Sequence, residues 1–426
     1  MKSTNQLPNQ NLINSRMLVL ILLLTVLSIG SVLAQNEINI GKAHLISSEI
    51  LGEDREIQIF LPEGYEDSDK QYPTLYVLDG QWYFEIAVAL QYGAIRSRLY
   101  PEMIVVGLKM QRPRRGELLL SQNEQFASFF EDELIPYMDR SYRTTTDRVL
   151  FGWEEGGSFA CNMILSDKEL FKAAIASNGG YLDQGMLKGF SKSDISEEKY
   201  LYIANSSKDI YSIDESENVK TELENYSPDN LTWKYDRFDD EVHASLAYLS
   251  MYYGLKFYYH NYGSLVFGSV QDFHEQGGVE YLANYFAARG ERFGFPKDID
   301  NSTKNSLIWL AWNRDDFDSF KLFMTEFADV LSTQRYASAY WQNKLGEFYM
   351  RHEDYENALT YFNRGITTYV NDTQLAEMHH NRGIIHKSLG NFKLAKADLK
   401  SAVKIAKSTN DEQLNSYQEE LVNLKK

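Results

Sequence analysis

The chain has 426 residues, 43% of them hydrophobic and 24% charged, a composition that suits globular domains and excludes a disordered chain. Its 60 acidic residues against 43 basic ones leave a net charge of −17, which sets nucleic-acid binding aside because that task needs a basic face. One cysteine, Cys161, excludes an intrachain disulfide framework and any cysteine-based zinc or iron–sulfur centre.

Residues 1–34 hold no Asp or Glu, and Lys2 and Arg16 precede the apolar run Met17–Leu33, which leads into Ala34. This is the pattern of a secretory signal cleaved after Ala34. The protein is then expected in the periplasm or outside the cell, with no stable membrane span. Left uncleaved, the same run would anchor the chain in a membrane. No cysteine follows the run, so a lipid anchor is excluded.

Short apolar runs then alternate with helical patterns. Glu53–Pro62 alternates polar and apolar residues, as a half-buried strand does, and is expected as an antiparallel edge. Thr74–Asp79, Ile104–Lys109, Val149–Gly152, Tyr200–Ala204 and Leu231–Tyr235 are strand candidates, mostly apolar throughout, like strands covered on both faces. Phe84–Ser97, Glu124–Met138, Phe159–Leu165 and Ala244–Tyr259 carry helical spacing. The alternation implies an α/β domain over residues 38–265, with a doubly wound, mostly parallel sheet.

Over residues 270–426 the strand signal is gone. Leu345-Gly346, Tyr349, Asp354-Tyr355, Ala358, Phe362 and Gly365 are answered by Arg382-Gly383, His386, Asn391-Phe392, Ala395, Leu399 and Ala402. Small residues where two helices cross, with large ones between them, form the tetratricopeptide pattern. Asp316-Phe317 with Met324 reads as a third, degenerate copy, and Asn410–Lys426 as a closing helix. So short an array is expected to pack against the first domain or against another chain.

The chemistry concentrates after Val149-Leu150-Phe151, which runs into Gly152-Trp153-Glu154-Glu155-Gly156-Gly157 and then a helix. This is the setting of a nucleophile elbow, Gly-x-Ser-x-Gly, whose glycines permit a sharp turn that lifts the central side chain off the sheet. Gly152 and Gly156 hold the glycine positions. The centre is Glu154, and Ser158 lies a helical turn too far along to stand in.

Several segments resemble the secreted esterase-like α/β-hydrolases, the group of esterase D and enterochelin esterase, and among them bacterial members with C-terminal tetratricopeptide repeats. They are Tyr72–Gly80 (YPTLYVLDG), Pro101–Gly107 (PEMIVVG), Phe130–Asp139 (FEDELIPYMD), Tyr142-Arg143-Thr144, the elbow, and Glu241–Ser245 (EVHAS). The resemblance implies an α/β-hydrolase fold and ester or acyl substrates, with a serine nucleophile, a histidine base and an orienting acid. It places Glu154 at the nucleophile position and His243 at the base. Asp209 is the choice for the acid, with Asp214 the fallback. Backbone N–H groups of Glu155, Gly80 and Gln81 are the expected oxyanion donors.

A carboxylate at the elbow has no proton for His243 to remove, and Glu154 with Glu155 puts negative charge where the family stabilises an oxyanion. An ion pair between Glu154 and His243 is expected, which would favour imidazolium, the wrong state for a base. The leading expectation is a catalytically impaired, pseudoenzyme-like esterase that keeps a cleft for a small ester-like ligand and an interaction tail. One alternative is an active hydrolase using Glu154 as nucleophile or water activator. Another is a tetratricopeptide scaffold, binding a protein partner or a second copy of itself, in which the tail is the functional part.

Other candidates carry less. His379, His380 and His386 lack a carboxylate at a ligand-like spacing and read as packing or solvent-exposed residues, and His274-Glu275 lacks a second histidine. No metal or cofactor is expected. Arg112-Pro113-Arg114-Arg115 reads as a solvated loop, with an anionic ligand as the alternative. The run Tyr252, Tyr253, Phe257, Tyr258 and Tyr259 reads as core, and Cys161 as a small buried hydrophobe.

Overall fold

Runs that are apolar along their whole length form the middle of a sheet covered on both faces. The computed structural model describes residues 40–166, 169–179, 197–211 and 213–424; the signal read over residues 1–34 lies outside them. Eight strands, β1 (Lys42–Ser48), β2 (Glu53–Phe60), β3 (Tyr72–Leu78), β4 (Ile104–Leu108), β5 (Thr144–Trp153), β6 (Ala173–Ser177), β7 (Lys199–Ser206) and β8 (Leu231–Phe238), make one sheet in the order β1-β2-β4-β3-β5-β6-β7-β8. β2 pairs antiparallel with both β1 and β4, and every other neighbour pair is parallel. The alternating strand expected as the edge is therefore second in the sheet. β1 is the outermost strand, with Leu45 exposed.

The first compact unit runs to His260. Its helices are α1 (Gly80–Ser97), α2 (Asn123–Ser128), α3 (Ile135–Ser141), α4 (Glu155–Leu165), α5 (Ile213–Tyr226) and α6 (Leu246–Tyr258). α1 and α6 pack together over one face of the sheet. On the other, Tyr76 of β3 meets Phe130 and Phe171 edge-on, and Phe159 of α4 packs on Phe126. The helix expected over Glu124–Met138 is continuous, and Phe129–Leu134 widens into π turns between α2 and α3. The wider turns place Phe126, Phe129 and Phe130 together in the buried layer.

The second compact unit starts at Asn261 and, among the described residues, is all helix: α7 (Val270–Glu275), α8 (Gly278–Phe293), α9 (Asn301–Asn313), α10 (Phe317–Glu326), α11 (Ala339–Arg351), α12 (Tyr355–Thr368), α13 (Leu375–Ser388), α14 (Phe392–Thr409) and α15 (Leu414–Asn423). Consecutive helices pair, α9 with α10, α11 with α12 and α13 with α14. Glycine at the crossings lets the backbones close: a Cβ on Gly346 would sit 2.6 Å from the Phe362 ring, and one on Gly383 3.1 Å from Leu399. Side-chain caps start several helices. Ser269, Asp300, Asp316, Ser338 and Asp354 each accept from the backbone N–H three residues on. No helix among the described residues is long and apolar enough to cross a membrane.

Candidate active site

β5 delivers the site. It ends in Trp153, and α4 begins at Glu155, so Glu154 alone makes the turn. Its backbone stands at φ 54, ψ −125, a conformation that costs a non-glycine residue about 1–3 kcal/mol. The turn closes because Gly152 carries no Cβ; one built there would collide with the carbonyl oxygen of Gly156. Glu154 N–H donates to Ser177 O at 3.0 Å, and Ser158 N–H to Glu154 O at 3.1 Å, which fixes the turn to β6 and to α4.

The structure brings Glu154, His243 and Asp209 together. Glu154 Oε1 lies 2.6 Å from His243 Nε2, and Asp209 Oδ2 lies 2.8 Å from His243 Nδ1. Asp209 follows the C-terminal end of β7 and is fully buried, whereas Asp214 is exposed on α5. His243 precedes α6. Its carbonyl accepts from Asn178 Nδ2 at 2.6 Å and from Trp153 Nε1 at 3.1 Å. Asn178 Oδ1 in turn accepts from Ser206 N–H, so the end of β7 and the His243 loop share one anchor. The rings of Trp153 and Tyr211 lie 4.8 and 5.6 Å from the imidazole.

Both imidazole nitrogens face carboxylate oxygens, and only the doubly protonated ring can donate to both. Burial works against the charge on His243. The hydrogen bonds to Asp209 and Glu154 outweigh it and hold the pKa above the usual histidine value.

Arg115 completes the site and was not foreseen there. Read as part of a solvated basic loop, it is instead only 1% exposed. Its Nε and Nη2 grip both oxygens of Asp79 at 2.8 and 2.9 Å, and Nη2 also donates to Trp153 O at 3.1 Å. Nη1 meets the Glu155 carboxylate, and Nη2 stands 3.5 Å from Glu154 Oε2. Burial opposes the Arg115 charge, but Asp79 and Glu155 raise its pKa beyond the ordinary range. Burial would likewise lift the Glu155 carboxyl; Arg115 and the residue's own backbone N–H pull it below its usual value. Sequence reasoning passed over Asp79 too, although it ends the Leu-Asp-Gly segment at the tip of β3. Its φ of 55 turns the chain into α1, and its carbonyl accepts from Trp82 and Tyr83.

The other expected donors lie in the same turn. Gly80 opens α1, where a Cβ would sit 2.8 Å from both Gln58 Oε1 and the Gly107 backbone. Gln81 spends its side chain on Met110, donating to its carbonyl and accepting from its N–H at 2.9 Å each. Cys161 is fully buried in α4, and burial pushes its thiol up to about 12. His379 in α13 faces Asp398 at 2.8 Å, and no cluster of metal-ligating side chains occurs among the described residues.

A sheet of this order, with a sharp strand–turn–helix carrying a side chain onto a histidine–aspartate pair, defines an α/β-hydrolase fold. Residues 48–185 match the family model described as "Putative esterase", and residues 376–409 match a tetratricopeptide repeat. The chain thus resembles that family over one segment and carries a tetratricopeptide-like repeat near its C-terminus. A solved structure of an uncharacterised protein from Capnocytophaga ochracea is similar, with 19% identity, 76% of this chain and 93% of that one covered, and a TM-score of 0.54. An IroE-like serine hydrolase from Shewanella oneidensis is 21% identical over 67% of this chain and 98% of its own, with a TM-score of 0.49. The enterobactin esterase from Shigella flexneri is 17% identical over 53% and 61%, with a TM-score of 0.43. The likeness to the Capnocytophaga protein is one of fold. No curated protein matches the chain.

Proposed function

We propose that this protein is an exported, catalytically impaired esterase relative that keeps its cleft as a binding site and uses its helical tail for interaction. One observation carries the reading: the side chain at the elbow is a carboxylate already engaged by both nearby cations. Glu154 is 2.6 Å from His243 and 3.5 Å from Arg115. A serine there would lend its proton to the imidazole. Glu154 instead favours the protonated imidazole, which is the wrong state for a base. The Glu155 N–H, the donor that in this fold faces the developing oxyanion, sits beside its own carboxylate. The domain bounds follow the sequence reading, residues 38–265 for the esterase part and 270–426 for the helical part. Export rests on the signal pattern of residues 1–34.

The test is hydrolysis of short p-nitrophenyl esters together with labelling by a fluorophosphonate probe. The wild type is expected to turn over no faster than Glu154→Ala and to stay unlabelled. Turnover in the wild type that Glu154→Ala abolishes would make Glu154 a working group and overturn the proposal.

A further inference from the structure

Helix α14 carries lysines at 393, 396, 400, 404 and 407, all exposed. Steps of three and four residues put them on one face, a stripe about 21 Å long at ~1.5 Å per residue. Its exposed positions carry no Asp or Glu. The one acid in the helix, Asp398, is buried and bonded to Arg382 and His379. None of the five lysines has an ion-pair partner among the described residues. Several other cations of this unit meet acids, as in Lys297–Glu291, Lys344–Glu347, Arg351–Asp315 and Lys387–Glu420. In a chain of net charge −17, an unpaired all-lysine face departs from the ordinary solvated pattern.

An apolar tip lies at the start of the stripe. Three helix pairs share one turn: a residue with positive φ (Asp315, Glu353, Gly390), then Asp316, Asp354 or Asn391, then an aromatic ring (Phe317, Tyr355, Phe392). Phe317 stacks on His352 of the next pair at 4.3 Å, and Tyr355 packs on the core of the unit. Phe392 has no following pair and is 61% exposed, beside Leu389 at 48% and Leu394 at 51%.

We infer that this edge docks on an anionic lipid surface, with the lysine stripe over the headgroups and Leu389, Phe392 and Leu394 in the interface. Charge complementarity calls for a polyanion and disfavours a symmetric pairing of two copies through this face, where stripe would meet stripe. Compact lysine charges, with no arginine or aromatic ring along the stripe, suit phosphate headgroups rather than stacked bases. An acidic peptide would neutralise the stripe yet leave the apolar tip in water; a bilayer covers both.

The test uses the full chain with a polarity-sensitive dye on Asn391→Cys, since the native Cys161 is buried. Vesicles of phosphatidylglycerol with phosphatidylcholine should shift the dye to the blue, and phosphatidylcholine alone should not. Lys396→Gln, Lys400→Gln and Lys404→Gln combined should weaken the anionic binding roughly a hundredfold, about fivefold per charge. Phe392→Ser with Leu394→Ser should abolish the blue shift while leaving weak, salt-sensitive vesicle co-sedimentation. No shift on anionic vesicles, or one indifferent to the lysine changes, overturns the inference. So does an equal shift with polyglutamate, which would make the partner an acidic polypeptide.

Discussion

Glu154 and His243 are joined by a 2.6 Å hydrogen bond at the place where a hydroxyl and a neutral imidazole would have to meet for ester hydrolysis. The rest of the frame is in position. Asp209 holds Nδ1, and the elbow has its strained backbone. Glu154→Ser is therefore expected to raise turnover of a short p-nitrophenyl ester by roughly 10²–10⁴-fold over the wild type, the range that positioned general-base catalysis supplies. Steady-state rates of wild type, Glu154→Ser and Glu154→Ala decide it. A serine variant as inert as the alanine one would show that Arg115 and Glu155 alone disable the site.

The two carboxylates flanking His243 give the site a pH signature. The folded-state pKa of this histidine is raised, so the stabilisation it brings is complete below the ordinary imidazole value, near 6.5, and fades as pH climbs through the raised folded value. An NMR titration of the imidazole should place its midpoint above that of an unfolded histidine. Glu154→Gln and Asp209→Asn should each move the midpoint down. A midpoint untouched by Glu154→Gln would mean that the short contact carries no charge.

Much of this was legible because burial writes itself into composition. β4 and the middles of β3 and β7 are apolar, and the glycines around Glu154 announce a sharp turn. β6 was not legible: Ala173-Ala174-Ile175-Ala176-Ser177 is mostly alanine, which favours no strand, and only its place between β5 and β7 makes it one. β1 was hidden by its polar, exposed edge. In the site, Glu154 and His243 came from the elbow pattern and the family resemblance, Asp209 was the choice with Asp214 as fallback, and Arg115 was not foreseen. Its neighbour Arg114 pairs at the surface with Glu53 and Glu117, and nothing in Arg-Pro-Arg-Arg tells which arginine turns inward. The signal available was Asp79, an acid at the end of a buried strand, which requires a cation.

Asp79 is wholly buried, and Arg115 grips both of its oxygens. Arg115→Met strands that carboxylate and is expected to destabilise the fold by about 3–5 kcal/mol. Chemical denaturation of the purified variant reads the loss. Adding Asp79→Asn should restore part of it, because asparagine removes the charge and tolerates the left-handed φ of 55 at this position. If the double variant is no more stable than Arg115→Met, the cost lies in lost packing around Trp153 rather than in the stranded charge.

The helical unit depends on close approach at its crossings, which two glycines test differently. A Cβ on Gly346 would press 2.6 Å from the ring of Phe362, a fully buried side chain with no room to swing. Gly346→Ala should cost about 1–3 kcal/mol, and Phe362→Leu should recover part of it by freeing the space. Gly365 faces Gln342 Cβ at 3.0 Å and the thioether of Met378, which is as buried as Phe362 but sits on a flexible side chain that can shift where a ring cannot, so Gly365→Ala should cost less. Denaturation curves of the three variants rank them. Equal losses for the two glycine changes would mean that helix spacing, not the stiffness of the facing side chain, sets the penalty.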